Sequence, residues 1–429
     1  MKMKFLFIAM LLWSANLFSQ SYLDVIRPYY GVSGTSGAES VALPAATTES
    51  NALLGNPALL SYVERSFFSA DLSFDQIEGK SVYDSKTDAP ITSRGLRFNS
   101  ISYIYPVNVY RGSWVWGFNL QPLYSFNSIQ EFKGVDSDTG DNFEYTHRDR
   151  QEGVLYALTA GTSFLATMNT SVGFSVSFLS GENAYHKVFQ DFDTEDNYTY
   201  TEYLDSLSFS PHYTGFSARM GLSSEFSDAI RIGATIEFPS RISISESSTN
   251  DTIEWFDDGT KEVWHSESIV GLEYAAWGPW RIGTGLSFSV DPLEVSVNYR
   301  FHSYSSSSMK SNLIDAQGND LDEIVASEIN LSVQNVHEFS LAMLWSLSPL
   351  DISFAASLKN DPLSYRLDDI IRLDTGIAYQ FSSGLGLTFA FRNEQWQSDL
   401  NHTLFSGSER KVDVQNSYSK FQFGIKYFL

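Results

Sequence analysis

The chain contains no cysteine, so an exported protein of this sequence has no disulfide framework and draws its stability from packing and backbone pairing alone. Basic residues are scarce as well: 28 Lys and Arg stand against 51 Asp and Glu, a formal net charge of −23. A surface of that sign does not suit phosphate, which argues against nucleic acid as a partner. Long apolar runs are also missing beyond the first residues, and a membrane-spanning helix needs roughly 20 of them. These absences leave two classes for an exported chain: a soluble secreted protein, or a β-barrel that crosses a membrane with strands.

Export itself is written at the start. Lys2 and Lys4 precede the apolar run from Phe5 to Trp13, and small or polar residues follow at Ser14, Ala15 and Ser19. That order is a secretory signal peptide, assigned here to residues 1–19. The apolar run is too short for an anchoring helix.

What the chain has in abundance is alternation. From Trp114, "WVWGFNLQPLYSF" puts Trp114, Trp116, Phe118, Leu120, Tyr124 and Phe126 on one face, with Gly117, Asn119, Gln121 and Ser125 on the other. "SVGFSVSF" sets Val172, Phe174, Val176 and Phe178 against Ser171, Gly173, Ser175 and Ser177; "LEVSVNYRF" from Leu293 does the same. Period two over this length is the pattern of a strand with one face in lipid and one toward a polar lumen. It also explains a mean hydropathy of only −0.17 in a chain with 15% aromatic residues.

Connections separate barrel from sandwich. Short turns at Val290 to Pro292, Ser348 to Leu350 and Ser382 to Gly384 alternate with long polar loops centred near Asp84, Asp138, Asp196, Asp257, Gln317, Pro362 and Ser406. Short turns on one rim and long loops on the other is the outer-membrane arrangement. The fold expected is therefore all-β: a transmembrane antiparallel β-barrel of about 14 strands over residues 66–429, with the long acidic loops outside the cell. Keeping the alternation requires reading "SIVGLEYAAWGPWRIGTGLSF" as one strand bulged at Gly278-Pro279. Trp114, Trp116, Trp345 and Tyr427 then fall near one rim as an interfacial girdle.

Residues 20–65 have no period of their own and are too few for a core. Within them "LLGNPALLSY" centres on Asn56-Pro57, where the proline removes a donor and biases Asn56 away from helical dihedrals. The stretch reads as a turn with apolar anchors on both sides. A barrel this wide leaves a lumen to be filled. We expect residues 20–65 to form a plug inside it, seated through Gly55, Asn56, Pro57, Ala58, Leu59 and Leu60.

"GVSGTSGAESVALPAATTESNALLGNPALL", followed by an aromatic-rich strand, resembles the amino-terminal hatch of the FadL family of outer-membrane transporters, and Asn56, Pro57 and Ala58 match its Asn-Pro-Ala element. The resemblance extends loosely along the chain, through "FSDAIRIGATIEFPSRISIS" and "GPWRIGTGLSFSVDPLEVSVNYRF". It implies a hatch-gated channel for passive uptake of hydrophobic small molecules such as long-chain fatty acids across the outer membrane of a Gram-negative bacterium. It also implies a side portal at a kink in the third strand, for which Pro122 is the candidate. PorV-type and PorQ-type barrels of the type IX secretion system share the fold and a similar hatch, so a secretion accessory is the alternative. The end, "QFGIKYFL", resembles the signal read by the barrel-assembly machinery through Gln422, Gly424, Tyr427 and Leu429, although Leu429 departs from the usual Phe.

Enzymatic chemistry is not indicated. Most of the seven histidines lie in loops or at strand ends with no nucleophile motif beside them. "DFDTEDNYTYTE" spaces its acids like a calcium loop, yet Asp196 stands where the turn wants Gly, and an acidic loop is the better reading. Arg219, Arg231, Arg281, Arg300 and Arg392 alternate inward beside Glu237, Glu294 and Asp351, where charges pair across strands. The expectation is a monomer with no catalytic residues, no metal and no cofactor.

Overall fold

The computed structural model describes residues 50–429 apart from 84–85, 88–89, 137–142, 197–198, 266–268, 312–319, 363–368 and 404–408. The expected signal peptide and the first part of the expected plug lie outside the described residues. In chain order come β1 (Phe67–Tyr83), β2 (Lys86–Thr87), β3 (Ile91–Val107), β4 (Trp114–Ser125), β5 (Ser128–Asp136), β6 (Phe143–Leu165) and β7 (Thr170–Asp193). Next are β8 (Tyr200–Phe209), β9 (His212–Ser227), β10 (Ile230–Glu237), β11 (Arg241–Phe256), β12 (Lys261–His265), β13 (Ile269–Trp277) and β14 (Trp280–Val290). The chain closes with β15 (Leu293–Ser303), β16 (Ser308–Lys310), the helix α1 (Leu321–Ser332), β17 (Val336–Leu347), β18 (Leu350–Asn360), β19 (Asp369–Gln380), β20 (Leu385–Thr403) and β21 (Glu409–Phe428).

Every pairing in the sheet is antiparallel and the sheet closes on itself. From β1 the ladder runs through β3, β4, β6, β7, β9, β10, β14, β15, β17, β18, β19, β20 and β21, and β21 returns to β1. On the short-turn side closure leaves no free edge among the described residues and pairs the backbone within the wall, which is what a strand needs in hydrocarbon. The remaining strands extend this ring on the long-loop side. β5 continues β4 along β6, β8 continues β9 along β7, and β13 continues β14. Because β14 pairs with β10 while β13 pairs with β11, Gly278-Pro279 interrupts one strand rather than turning between two, as the alternation requires.

Side chains follow the sequence pattern. On β7 Phe174, Val176 and Phe178 are exposed while Ser175 and Ser177 are buried; on β15 Val297 is exposed while Ser296 and Asn298 are buried. Apolar residues thus coat the outside and small polar ones line the inside. Trp114, Trp116, Trp345 and Tyr427 are all exposed and stand close to the short-turn rim.

One stretch departs from the expected faces. Tyr124 and Phe126, assigned by alternation to the same side as Trp114, are 4% and 2% exposed and belong to the interior apolar cluster. The ladder gives the cause: Pro122 pairs with Tyr156 and Tyr124 with Leu155, so Leu123 is an extra residue and the parity of β4 inverts there. A proline that cannot donate to the ladder is where such a bulge is tolerated.

Candidate functional site

Residues 50–62 lie against the inner face of the wall. They form two short 3-10 helices, Ser50–Leu53 and Pro57–Tyr62, and nearly all of their side chains are buried. The local sequence explains the second: Asn56, in an extended conformation, caps it by accepting from the Ala58 amide at 3.1 Å, and Pro57 occupies the first position, where a missing N–H costs nothing. Leu59 and Leu60 pack with Ala52, Leu53, Val63, Phe67, Ile104 and Val115.

The seat is specific. Asn56 donates through Nδ2 to the Leu222 carbonyl at 3.0 Å; Ser163 and Ser171 donate to the Ala58 carbonyl at 2.9 and 3.0 Å; Ser175 donates to the Leu53 carbonyl at 2.7 Å. Such bonds replace the water that a buried turn would otherwise need. Glycines make the approach possible. A Cβ on Gly173 would stand 2.3 Å from the Ala58 nitrogen, and one on Gly221 would stand 2.0 Å from Asn56 Oδ1. Gly173 and Gly221 face each other in the β7–β9 ladder, and Gly117 and Gly161, which meet Leu53, do so in the β4–β6 ladder. Sequence reasoning named the knot and missed this seat. The available signal was glycine inside a strand, which marks a close backbone approach.

From the seat a chain of charged groups leads to the irregular strand. Arg219 reaches the Leu53 carbonyl at 3.4 Å and Glu237 at 2.5 Å; Arg281 holds the other Glu237 oxygen at 3.0 Å and donates to the Tyr124 hydroxyl at 2.6 Å. All four side chains are largely buried, so each charge depends on its partner. The inward arginines do pair across strands: Arg231 with Glu225 and Glu294, Arg300 with Glu338, and Arg392 with Asp374.

Beside Tyr124 the wall is incomplete. The β3–β4 ladder stops at Ile101 and Leu120, although β3 continues along β1 to Ile91 and β4 continues along β6 to Ser125. Two bulges flank the break, Leu123 on β4 and Asn99 on β3, the latter between the Phe98–Leu72 and Ser100–Asp71 pairs. Beyond it β5 reaches across to β1, where Ser81 donates to the Glu131 carbonyl at 3.0 Å and Gly79 meets the Ile129 carbonyl. The break encloses about 20 Å³, lined by Asp75, Arg97, Phe98, Pro122, Tyr418 and Lys420 among others. That holds roughly one water. The Phe98 and Tyr156 rings, 6.4 Å apart, stand together beside it.

On the long-loop side of the seat lies an apolar interior. Leu54, Leu123, Tyr124, Phe126, Leu155, Leu179, Tyr213, Ile242, Ile244 and Tyr274 form one cluster from six strands and the knot. Helix α1 joins it through Val325 and Ile329, with Val333 just past its end, at the spacing that puts three residues on one face. Nothing in the sequence reading anticipated this helix. Among the described residues no group of three or more His, Cys, Asp or Glu is placed to hold a metal ion.

The comparisons with known proteins agree with this architecture. No family model and no curated protein sequence matches the chain. Solved structures do. The toluene transporter TodX of Pseudomonas putida superposes with a TM-score of 0.62 at 12% identity, covering 93% of this chain and 99% of its own. A Pseudomonas aeruginosa FadL homologue gives 0.61 at 11% over 94% and 99%. The fold is FadL-like. The toluene transporter TbuX of Ralstonia pickettii superposes with a TM-score of 0.53 at 12% identity over 94% and 99%. At such identity the likeness carries the fold and leaves the ligand to the chain's own residues.

Proposed function

We propose that this chain is an outer-membrane channel for the passive uptake of hydrophobic small molecules, of which long-chain fatty acids are one class. The observation that carries the reading is the combination of an apolar interior with a break in the wall beside it: a ligand of low polarity has a compartment to enter and a route out that avoids the seated knot. The structural neighbours include toluene transporters and a FadL homologue, which supports the same ligand chemistry.

In this reading residues 20–65 are the hatch. Gly55, Asn56, Pro57, Ala58, Leu59 and Leu60 close the lumen, and release of their hydrogen bonds to β6, β7 and β9 opens it. Pro122 marks the lateral portal. The break is shut in the conformation described, since about 20 Å³ admits no ligand; passage requires Phe98, which is exposed, and Tyr156, which is half-buried, to swing apart by rotamer changes. The ring of pairing, read strand by strand at the short-turn rim, supports the count of about 14 strands. Both mature termini face the periplasm, the chain acts as a monomer, and the barrel-assembly machinery reads Gln422, Gly424, Tyr427 and Leu429. Tyr427, near the end of β21, and Leu429, just past it, are exposed, while Gln422 is buried.

The test is to purify the barrel in mild detergent, extract bound molecules for mass spectrometry and identify proteins that travel with it. Fatty acids or other lipophiles enriched over a control barrel are expected. An empty lumen together with stoichiometric secretion-machinery subunits would overturn the reading in favour of the secretion accessory.

A further inference from the structure

The outer wall carries a feature that uptake does not use. On β9 the exposed face is apolar at Phe216, Met220 and Leu222, and on β14 at Trp280, Ile282, Leu286 and Phe288. Phe238 and Trp280, with rings 5.3 Å apart, mark where that apolar belt ends toward the long loops. The strands are interrupted there, at 238–240 and 278–279. Just beyond lies a concavity of about 610 Å³, lined by His212, Arg241, Ser243, Glu273, Trp277 and Lys310 among others. Its charged members face outward, because the residues between them, Ile242, Ile244, Tyr274 and Ala276, point into the interior cluster.

Two cations dominate it. The Arg241 guanidinium lies 5.5 Å from the centre of the Trp277 ring and the Lys310 ammonium 5.8 Å from it. Among the described residues neither has a carboxylate within ion-pair distance. Glu273 lines the same concavity, and His212 faces Glu182 at 3.7 Å, so among the described lining residues two Lys and Arg side chains stand against one carboxylate. On a chain of net charge −23, a surplus of positive charge at the rim of the belt runs against the composition. An indole flanked by basic side chains at the end of an apolar band is placed at the headgroup level of a bilayer.

We propose that this concavity binds the phosphorylated headgroup of a glycolipid of the outer leaflet, with its acyl chains lying on Phe216, Phe238 and Trp280. Arg241 and Lys310 take the phosphate as charge-assisted donors, Ser243 offers a hydroxyl, and Trp277 holds the two cations apart. The proposal rests on the outer-membrane reading above, with the long loops toward the cell surface. It is independent of which hydrophobic compound passes through the lumen.

The experiment compares purified wild-type barrel with Arg241→Gln/Lys310→Gln in mixed micelles doped with bisphosphorylated or dephosphorylated lipid A, with binding followed by tryptophan fluorescence and native mass spectrometry. The wild type is expected to prefer the bisphosphorylated form, and the double variant to lose that preference, at about fivefold for each cation and roughly 25-fold for both. Inorganic phosphate as competitor separates the sources: failure to displace the lipid supports a headgroup site that also needs the acyl chains, whereas full displacement at equal concentration reduces it to a simple anion site and overturns the proposal. Equal binding of both lipid forms, or of wild type and variant, also overturns it. If the double variant does not fold, Lys310→Gln alone carries the comparison at about fivefold. Uptake of hydrophobic compounds is measured on the same variants and is expected to stay unchanged, so a protein that fails to transport and still discriminates phosphate refutes only the transport reading.

Discussion

At the scale of single residues, the most informative position is one without a side chain. Gly221 faces Asn56 Oδ1 so closely that a methyl group there would stand 2.0 Å away. Neither the ladder nor the cap can yield without breaking the Asn56 to Leu222 bond. Gly221→Ala is therefore expected to unseat the knot while leaving the strand paired, because alanine suits an extended backbone. Liposome swelling with small sugars should report a leakage increase of about tenfold, equivalent to about 1.4 kcal/mol of lost seating. Unchanged leakage would place the closure elsewhere. Glu237 offers the complementary test, since Glu237→Gln leaves Arg219 and Arg281 buried without their anion. The cost of breaking such a pair is about 3–5 kcal/mol, expected as a lower thermal midpoint of the folded barrel. Little of this was legible in the sequence: the arginines and Glu237 were recognised as inward and paired, yet their contact with Leu53 and Tyr124 joins residues 166 and 157 positions apart.

At the scale of elements, β4 matters most. Its regular half was readable because period two needs only neighbouring residues. The change of face after Pro122 was not, since a bulge shifts parity without altering composition. Restoring a donor at that point should extend the β3–β4 ladder beyond Leu120. Pro122→Val is expected to slow uptake of a radiolabelled fatty acid by about tenfold, whereas Phe98→Ala, which removes one ring beside the break, should speed it. If neither changes uptake, the ligand leaves by another path. Other interruptions follow the same physics. Pro211, Pro239 and Pro279 each sit between two strands that continue one another, and only the last was read as a bulge from the sequence, because the alternation of loops forced that choice. Helix α1 was missed for a different reason: its apolar positions Val325, Ile329 and Val333 span few turns, and a segment that short gives no period strong enough to separate it from a polar loop.

At the scale of the whole molecule, a closed sheet with an apolar outside and a pinned interior behaves as one cooperative unit in detergent. Unheated samples are expected to run faster on a denaturing gel than boiled ones, and a protein without that shift would not be this barrel. Protease added to intact cells should cut the long loops near Asp138 or Asp196 and spare the turns at Ser348 and Ser382; cutting confined to the turns would invert the orientation. The architecture was the most legible level of all, because alternation, turn length and charge placement are each repeated many times along the chain, so no single misread strand alters the outcome.

The ring is completed by its two extremes. β1 pairs with β21 from Phe67–Phe428 through Val82–Asp413, and the Leu429 amide donates to the Ser66 carbonyl at 2.9 Å. No strand in between can stand in for either partner. A ribosome that stops within β21 therefore yields a polypeptide with every pairing available except the two that β21 makes, with β1 and with β20, and so with two raw backbone rows that nothing in the chain can cover. Such a product has no stable resting place short of degradation, and a nonsense mutation at Lys411 should be as damaging to abundance as one at Ser73.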